Sequence, residues 1–290
     1  MRILILGATG MLGYSLFSNL RDYPEFEVFG TVRNIKGKEA FFDNSLSSLV
    51  FGVDVTDVTQ LEHAIQSINP AVVINCIGLI KQHDVSKQHV NAIEINALLP
   101  HQIARACSQN GAKLIHFSTD CVFSGKTGGY SEESLPDAID LYGRSKCLGE
   151  VVYPPHLTLR TSIIGHELNS SVSLIDWFLS QAGEVKGFSK AIFSGLPTCY
   201  IAKLLAESVL KAPDLTGLYH LSVTPIDKYT LLTQVAEIYG KRIVINESLE
   251  LVIDRSLNSQ RLKEQLTLPL PSWPELINFM HKDFNKRYQQ

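Results

Sequence analysis

A chain of 290 residues with 26 Lys and Arg against 29 Asp and Glu has a formal net charge of −3, which excludes the basic footprint that counterion-driven nucleic-acid binding requires. Its length can bury a sizeable core without disulfide or metal support. The five cysteines, Cys76, Cys107, Cys121, Cys147 and Cys199, are scattered without CxxC spacing, which argues against a disulfide framework or a zinc site and fits a reducing, cytoplasmic setting.

The apolar run Ile3 to Leu6 is too short for a signal-peptide core, and no run approaches the roughly 18 apolar residues that cross a bilayer. Arg2 to Leu6 reads instead as a strand. It leads into Gly7-Ala8-Thr9-Gly10-Met11-Leu12-Gly13 and a helical stretch, the strand–turn–helix context of a dinucleotide fingerprint. Gly7 would allow the tight turn, Gly10 would let backbone N–H groups approach a pyrophosphate at the helix N-terminus, and Gly13 would let the helix pack closely on the sheet. Thr9, Met11 and Leu12 lie in the same loop.

Phe26 to Val32 is the second strand, and Thr31-Val32-Arg33-Asn34 ends it with a cation where an NAD-specific site offers a carboxylate. A cation there favours a 2′-phosphate, hence NADPH, with NADH possible; the alternative is an exposed surface Arg. After a third strand, Leu49 to Val53, Asp54 and Val55 are placed to hold the adenine, unless Asp54 simply begins the next helix. Ala71 to Asn75 and Lys113 to Phe117 complete an alternation of short apolar strands and helical patterns. This predicts a doubly wound α/β fold of Rossmann type, with a parallel sheet whose strands are apolar on both faces.

The fifth strand runs into Ser118-Thr119-Asp120, placing hydroxyls at the C-terminal edge of the sheet, where ligands of doubly wound folds bind. Tyr142 and Lys146 follow at YxxxK spacing, 23 positions after Thr119, and so share one face of a helix. A neighbouring ammonium lowers the phenol from its ordinary pKa of about 10 by favouring phenolate. Thr119 can then hold a substrate carbonyl while Tyr142 exchanges its proton.

A further strand is expected at Leu157 to Ser162, and the alternation breaks near Gly165. Gly217 to Ser222 reads as a buried strand returning to the main sheet. Residues 1–165 with a segment near 197–222 would therefore form the dinucleotide-binding domain, and 166–196 with 223–290 a smaller, interleaved lobe. Trp177, Phe178 and Phe188 are read as core, with stacking on a substrate base as the alternative. Ser272 caps a final helix with Pro274 just inside its first turn. His83, His89 and His166 lack ligand spacing, so no metal site is expected.

Together these residues resemble the extended short-chain dehydrogenase/reductases and, among them, the dTDP-4-dehydrorhamnose reductase family. The resemblance rests on residues 7–13, on Val72 to Gly78, on Glu94-Ile95-Asn96, on Ser118 to Gly125, on YGRSK from Tyr142, and on Ser194 to Thr198 and Asp254 to Asn258 in the second lobe. It implies a catalytic triad of Thr119, Tyr142 and Lys146, a cofactor wall at Cys76, Ile77 and Gly78, and a steadying role for Asn96. It implies substrate contacts at Lys81, Thr119, Asp120, Cys121, Thr198 and Arg255, with Arg255 at the nucleotide portion. Cys121 departs from the Tyr common in the family, which changes the sugar pocket.

The wording is most similar to reductases of surface polysaccharide and O-antigen synthesis that act on UDP-linked 2-acetamido-2,6-dideoxy-4-ketohexoses. The implied partner is a nucleotide sugar, with no nucleic acid or membrane and with a homodimer possible. Two other readings share the frame. One is an epimerase or dehydratase that keeps and recycles NAD⁺, against which Arg33 argues. The other is an NADP-binding regulatory subunit like the β subunit of methionine adenosyltransferase, against which the intact triad argues.

Overall fold

The computed structural model describes residues 1–79, 88–268 and 271–289. Its strands are β1 (Arg2–Leu6), β2 (Glu27–Val32), β3 (Leu49–Phe51), β4 (Val72–Asn75), β5 (Lys113–Thr119), β6 (Leu157–Thr161), β7 (Ile163–Ile164), β8 (Glu184–Phe188), β9 (Ala191–Phe193), β10 (Leu196–Pro197), β11 (Gly217–His220), β12 (Ile226–Asp227), β13 (Val244–Ser248) and β14 (Ile253–Asp254). The helices are α1 (Met11–Leu20), α2 (Val58–Ile68), α3 (His89–Ala92), α4 (Leu99–Gln109), α5 (Leu141–Leu148), α6 (Leu174–Ser180), α7 (Thr198–Glu207), α8 (Lys228–Ile238), α9 (Gln260–Gln265) and α10 (Trp273–Arg287). A π-helical turn, Ile93–Leu98, joins α3 to α4.

Seven strands form one parallel sheet in the order β11-β6-β5-β4-β1-β2-β3. The chain leaves β1 for β2 on one side and returns to β4 on the other, so a crevice opens at the C-terminal ends of β1 and β4. Apolar alternation explains why both faces are covered. Ile3, Ile5, Val72 and Ile74 pack with Leu16 and Phe17 of α1, Ile201 and Leu205 of α7 and Ile277 of α10. Leu4, Leu6 and Val73 pack on the other face with Leu61 and Ile65 of α2 and Ile103 of α4. Each such side chain, fully buried, contributes roughly 1.5–3 kcal/mol.

The segment expected to return to the sheet does so as β11, paired in parallel with β6. Beyond β6 the chain builds smaller sheets: β12-β9-β14, β13-β8 and β10-β7. In α10, Ser272 and Glu275 form a capping box, and the Trp273 indole donates to the Thr224 carbonyl at 2.8 Å, pinning the helix under the second lobe. No helix among the described residues is long and apolar enough to cross a membrane.

Candidate active site

The C-terminal edge of the sheet opens into a cavity of about 620 Å³, walled on the other side by β9 and by the starts of α6 and α8. Its floor at one end is the glycine turn. Gly7 sits at φ +83°, a left-handed conformation that Gly adopts without a Cβ penalty, and the Thr31 hydroxyl anchors its N–H at 3.2 Å. A Cβ on Gly13 would collide with the Gly7 carbonyl, so this glycine sets how closely α1 approaches β1. Gly10 is the N-cap of α1 and supplies no side chain to satisfy the helix's first N–H groups. Gly10, Met11 and Leu12 line the cavity. Unpaired N–H groups at a helix N-terminus suit a pyrophosphate.

Gly13→Ala is therefore expected to destabilise the fold by about 1–3 kcal/mol through overpacking, measured by denaturant unfolding. It should also weaken binding of a nicotinamide dinucleotide by roughly tenfold, equivalent to about 1.4 kcal/mol, measured by calorimetry.

The opposite wall of this end is Asn75 to Leu79. Asn96, on the π-helical turn, holds it in place. Its Oδ1 accepts from the Leu79 N–H at 2.9 Å, and its Nδ2 donates to the Leu79 carbonyl at 3.2 Å and to Ser145 Oγ at 3.3 Å. One buried amide thus ties this wall to α5, the helix that carries Tyr142 and Lys146. Burial pushes the Cys76 thiol upward, so it lines the wall as a neutral group.

Thr119, Tyr142 and Lys146 all line the cavity, and the Tyr142 phenol hydrogen-bonds Thr119. Asp140 caps α5 by accepting from the Gly143 N–H at 2.9 Å, and one helical turn brings phenol and ammonium to the same face. Lys146 is 6% exposed and donates to the Phe117 carbonyl at 2.7 Å. Burial lowers its pKa to about 8, with the Glu150 carboxylate opposing that shift.

The expectation that Lys146 lowers the phenol is corrected here. Burial raises Tyr142 above its ordinary value, the neighbouring Cys121 adds to that, and the hydrogen bond with Thr119 acts in the opposite direction. The ammonium is instead engaged with the Phe117 carbonyl. The Thr119 hydroxyl donates to Asp120 Oδ1 at 3.1 Å and accepts from the Cys121 N–H at 3.1 Å. Burial holds the Asp120 carboxyl above its ordinary range, against the lowering effect of Arg255.

The second-lobe wall includes Glu167, Ile192, Phe193, Lys228 and Arg255. Arg255 donates through Nε to the Phe123 carbonyl at 2.9 Å, and its Nη1 lies 3.6 Å from Cys121 Sγ. Cys121, in the turn directly after β5, therefore touches this cation. The two stretches from Ser118 and from Asp254 are stitched together, since Asp254 N–H donates to the Gly125 carbonyl at 2.8 Å and Tyr130 N–H to the Ser256 carbonyl at 2.9 Å.

Several anticipated residues lie elsewhere. Thr198 opens α7, is buried against Gly165 and does not line the cavity. It fills the joint between β7 and α7. Trp177, Phe178 and Phe188 do not line the cavity either; Phe178 is fully buried core. Asp54 does not begin the helix, because Asp57 caps α2. The Asp54 carboxylate is taken up by the Thr56 N–H and hydroxyl at 3.0 and 2.8 Å, and these bonds, with Arg33 nearby, hold it below its ordinary value. Val55 packs partly into the core between α2 and the sheet. Arg33 is exposed at the end of β2, outside the cavity lining. Lys81 and His83 lie outside the described residues.

Three lining or rim residues were not anticipated. Lys38 Nζ reaches the Thr9 carbonyl at 3.3 Å, bringing a second cation beside the glycine turn; the basic run after Arg33, turned by Gly37 at φ +73°, is the signal for it. Glu167 lines the cavity while accepting from the Val172 and Ser173 N–H groups at 2.8 and 3.0 Å. Lys228 carries no local mark at all: it is an ordinary first-turn lysine until the sheets bring it inward.

Comparison with known proteins agrees with this architecture. A dTDP-4-dehydrorhamnose reductase from Bacillus anthracis, solved in complex with NADP, superimposes with a TM-score of 0.80 at 23% identity, over 97% of this chain and 99% of that one. A hypothetical dTDP-4-dehydrorhamnose reductase from Sulfolobus tokodaii gives 0.77 at 28% identity, over 94% and 97%. In sequence, the spore coat polysaccharide biosynthesis protein SpsK of Bacillus subtilis is 27% identical over 84% of this chain and 81% of its own. The β subunit of methionine adenosyltransferase 2 from Rattus norvegicus is 26% identical over 82% and 72%.

A probable low-salt glycan biosynthesis reductase of Haloferax volcanii is 32% identical over 55% of this chain and 52% of its own, so that match spans about half of the relative's length. The RmlD substrate binding domain matches residues 1–252. That span holds every described residue of the cavity wall except Ile253 and Arg255, and the chain belongs to the RmlD substrate-binding-domain family.

Proposed function

We propose that this protein is an NADPH-dependent reductase of the 4-keto group of a nucleotide-activated 6-deoxyhexose, dTDP-4-dehydrorhamnose or a UDP-linked 2-acetamido-2,6-dideoxy-4-ketohexose, serving surface polysaccharide synthesis. The observation that carries this reading is the meeting of Thr119, Tyr142 and Lys146 in a cavity that begins at the α1 N-terminus. When bound, the nicotinamide dinucleotide supplies the hydride for the ketone carbon. The protein's own groups do the rest. Thr119, its hydroxyl turned from Asp120 to the substrate, holds the carbonyl oxygen, and Tyr142, kept protonated by its burial, gives that oxygen its proton as general acid. Lys146 keeps a positive charge beneath the site, which favours the oxyanion that forms on the way.

The deciding assay follows NADPH against NADH oxidation with UDP- and dTDP-linked 4-keto-6-deoxyhexoses generated in place. Oxidation that depends on one sugar supports the reading and names its nucleotide; none with any sugar, despite NADPH binding, overturns it. Arg33→Ala should raise the KM for NADPH by roughly tenfold, about 1.4 kcal/mol, and leave that for NADH unchanged, because only the former carries the 2′-phosphate.

The match to methionine adenosyltransferase β subunits over most of the chain favours a second reading, an NADP-binding partner protein without turnover. Co-purification with a synthetase, joined to silence in the assay, would select it.

A further inference from the structure

Lys228 and Arg255 reach the cavity by one piece of construction. In the sheet β12-β9-β14, Asp227 and Asp254 both pair with Ile192 of the central strand, from opposite edges. The next residue of each edge strand is a cation, and both cations line the cavity beside Ile192. Two positive side chains are thus delivered to the wall of the cavity that Thr119 and Tyr142 also line.

Neither forms an ion pair with a described carboxylate, although Asp120 acts on both electrostatically. Lys228 is half-buried and makes no hydrogen bond or ion pair with any other described residue, leaving three N–H donors unused. Burial lowers its pKa, Asp120 and Cys121 oppose that, and Arg255 adds to it by like-charge repulsion. Arg255 meets a carbonyl and a thiol but no carboxylate. The cavity's described carboxylates are engaged elsewhere: Glu167 caps the Val172 and Ser173 N–H groups, and Asp120 accepts from Thr119 while burial favours its neutral form. Holding two cations together, partly desolvated and with only the buried, already hydrogen-bonded Asp120 carboxyl near them, is costly unless a ligand brings further negative charge. A ketohexose ring is neutral and calls for neither.

We infer that Lys228 is a specificity-determining residue which, with Arg255, forms an anion clamp for the diphosphate linking sugar to nucleoside. This rests on the nucleotide-sugar reading above and adds a residue to it. The guanidinium offers a planar fork and the ammonium a point charge, a pairing suited to two adjacent phosphate groups. The clamp would hold the substrate by the end remote from its keto group, leaving the sugar between the clamp and Tyr142.

The test is calorimetric titration of UDP, dTDP and inorganic pyrophosphate into the wild-type protein, Lys228→Met and Lys228→Arg, with uridine, thymidine and NADPH as controls. The expected result is that the wild type binds a nucleoside diphosphate, that Lys228→Met weakens that binding and that of pyrophosphate by tenfold or more, and that Lys228→Arg restores most of it. NADPH and nucleoside binding should not change. Unchanged diphosphate affinity in a Lys228→Met protein that still binds NADPH would overturn the clamp, as would the absence of any diphosphate binding to the wild type. An equal loss of NADPH affinity would also overturn it, by placing Lys228 at the cofactor end. Because none of these titrations needs turnover, silence in the ketoreductase assay would sink the reductase reading while leaving the clamp to stand or fall by itself.

Discussion

Tyr142→Phe is expected to lower kcat by about 10²–10⁴-fold, the range that general acid catalysis contributes, while NADPH affinity stays at the wild-type level. The substitution removes one oxygen and keeps the ring, so the packing of α5 against the cavity survives. What it deletes is the only phenol lining the described part of the cavity. Burial raises Tyr142 above the ordinary tyrosine value, so the phenol remains protonated throughout the neutral range and serves as a proton donor rather than a base. That direction suits reduction of a ketone, in which the oxygen must gain a proton.

The Thr119 partner allows a sharper check. Thr119→Val removes the hydroxyl that bonds Tyr142 and Asp120, and a unit of this kind loses far less on the second deletion than on the first. The double variant should therefore be little slower than Tyr142→Phe alone. Near-normal turnover of Tyr142→Phe in steady-state assays with the preferred sugar would remove Tyr142 from the chemistry, and with it the general-acid role given to it.

The parts of this site that could be read from the sequence are those built by short segments. Gly7 to Gly13 lies between a strand and a helix whose patterns are local, and Tyr142 and Lys146 share one helical turn, so spacing alone predicts their common face. The sheet was legible for the same reason: Val72, Val73 and Ile74 are apolar in succession because core lies on both sides of β4. Loops and lobes were harder. Asp54 could begin a helix or meet a ligand as far as sequence goes, and only the fold shows its carboxylate turned onto Thr56. Thr198 was read as a substrate contact from its motif, yet its side chain packs against Gly165 between β7 and α7, outside the cavity lining. Lys228 was invisible because its importance arises from the pairing of β12 with β9, two strands more than thirty residues apart. The effect of Lys146 on Tyr142 was misjudged because helical spacing gives proximity but not the direction in which an ammonium points.

Lys146 is where function and stability should separate most plainly. Lys146→Met is expected to abolish most turnover and, at neutral pH, to make the fold more stable by about 2 kcal/mol. The charge is held in a site where burial lowers its pKa from 10.5 to about 8, and at about 1.4 kcal/mol per pH unit that burial costs on the order of 3 kcal/mol. Losing the hydrogen bond to the Phe117 carbonyl returns about 1 kcal/mol of that.

The pH dependence follows from the sign of the shift. The folded-state value lies below the unfolded one, so between about pH 8 and pH 10.5 the unfolded chain binds the extra proton, and wild-type stability contributed by this group rises across that window. Below about pH 8 the penalty is complete. The advantage of Lys146→Met should accordingly be largest near pH 7 and shrink as the pH climbs from about 8 toward 10.5, measured by urea unfolding of both proteins. Over the same range the wild-type kcat/KM should fall as pH passes about 8, because it reports the protonation of the free enzyme and Lys146 is then losing its charge. A variant no more stable than wild type at neutral pH would mean that the ammonium is solvated or paired well enough to cost nothing. A stabilised but inactive variant would mean that the fold tolerates a buried charge in the wall of its cavity because the chemistry there requires it.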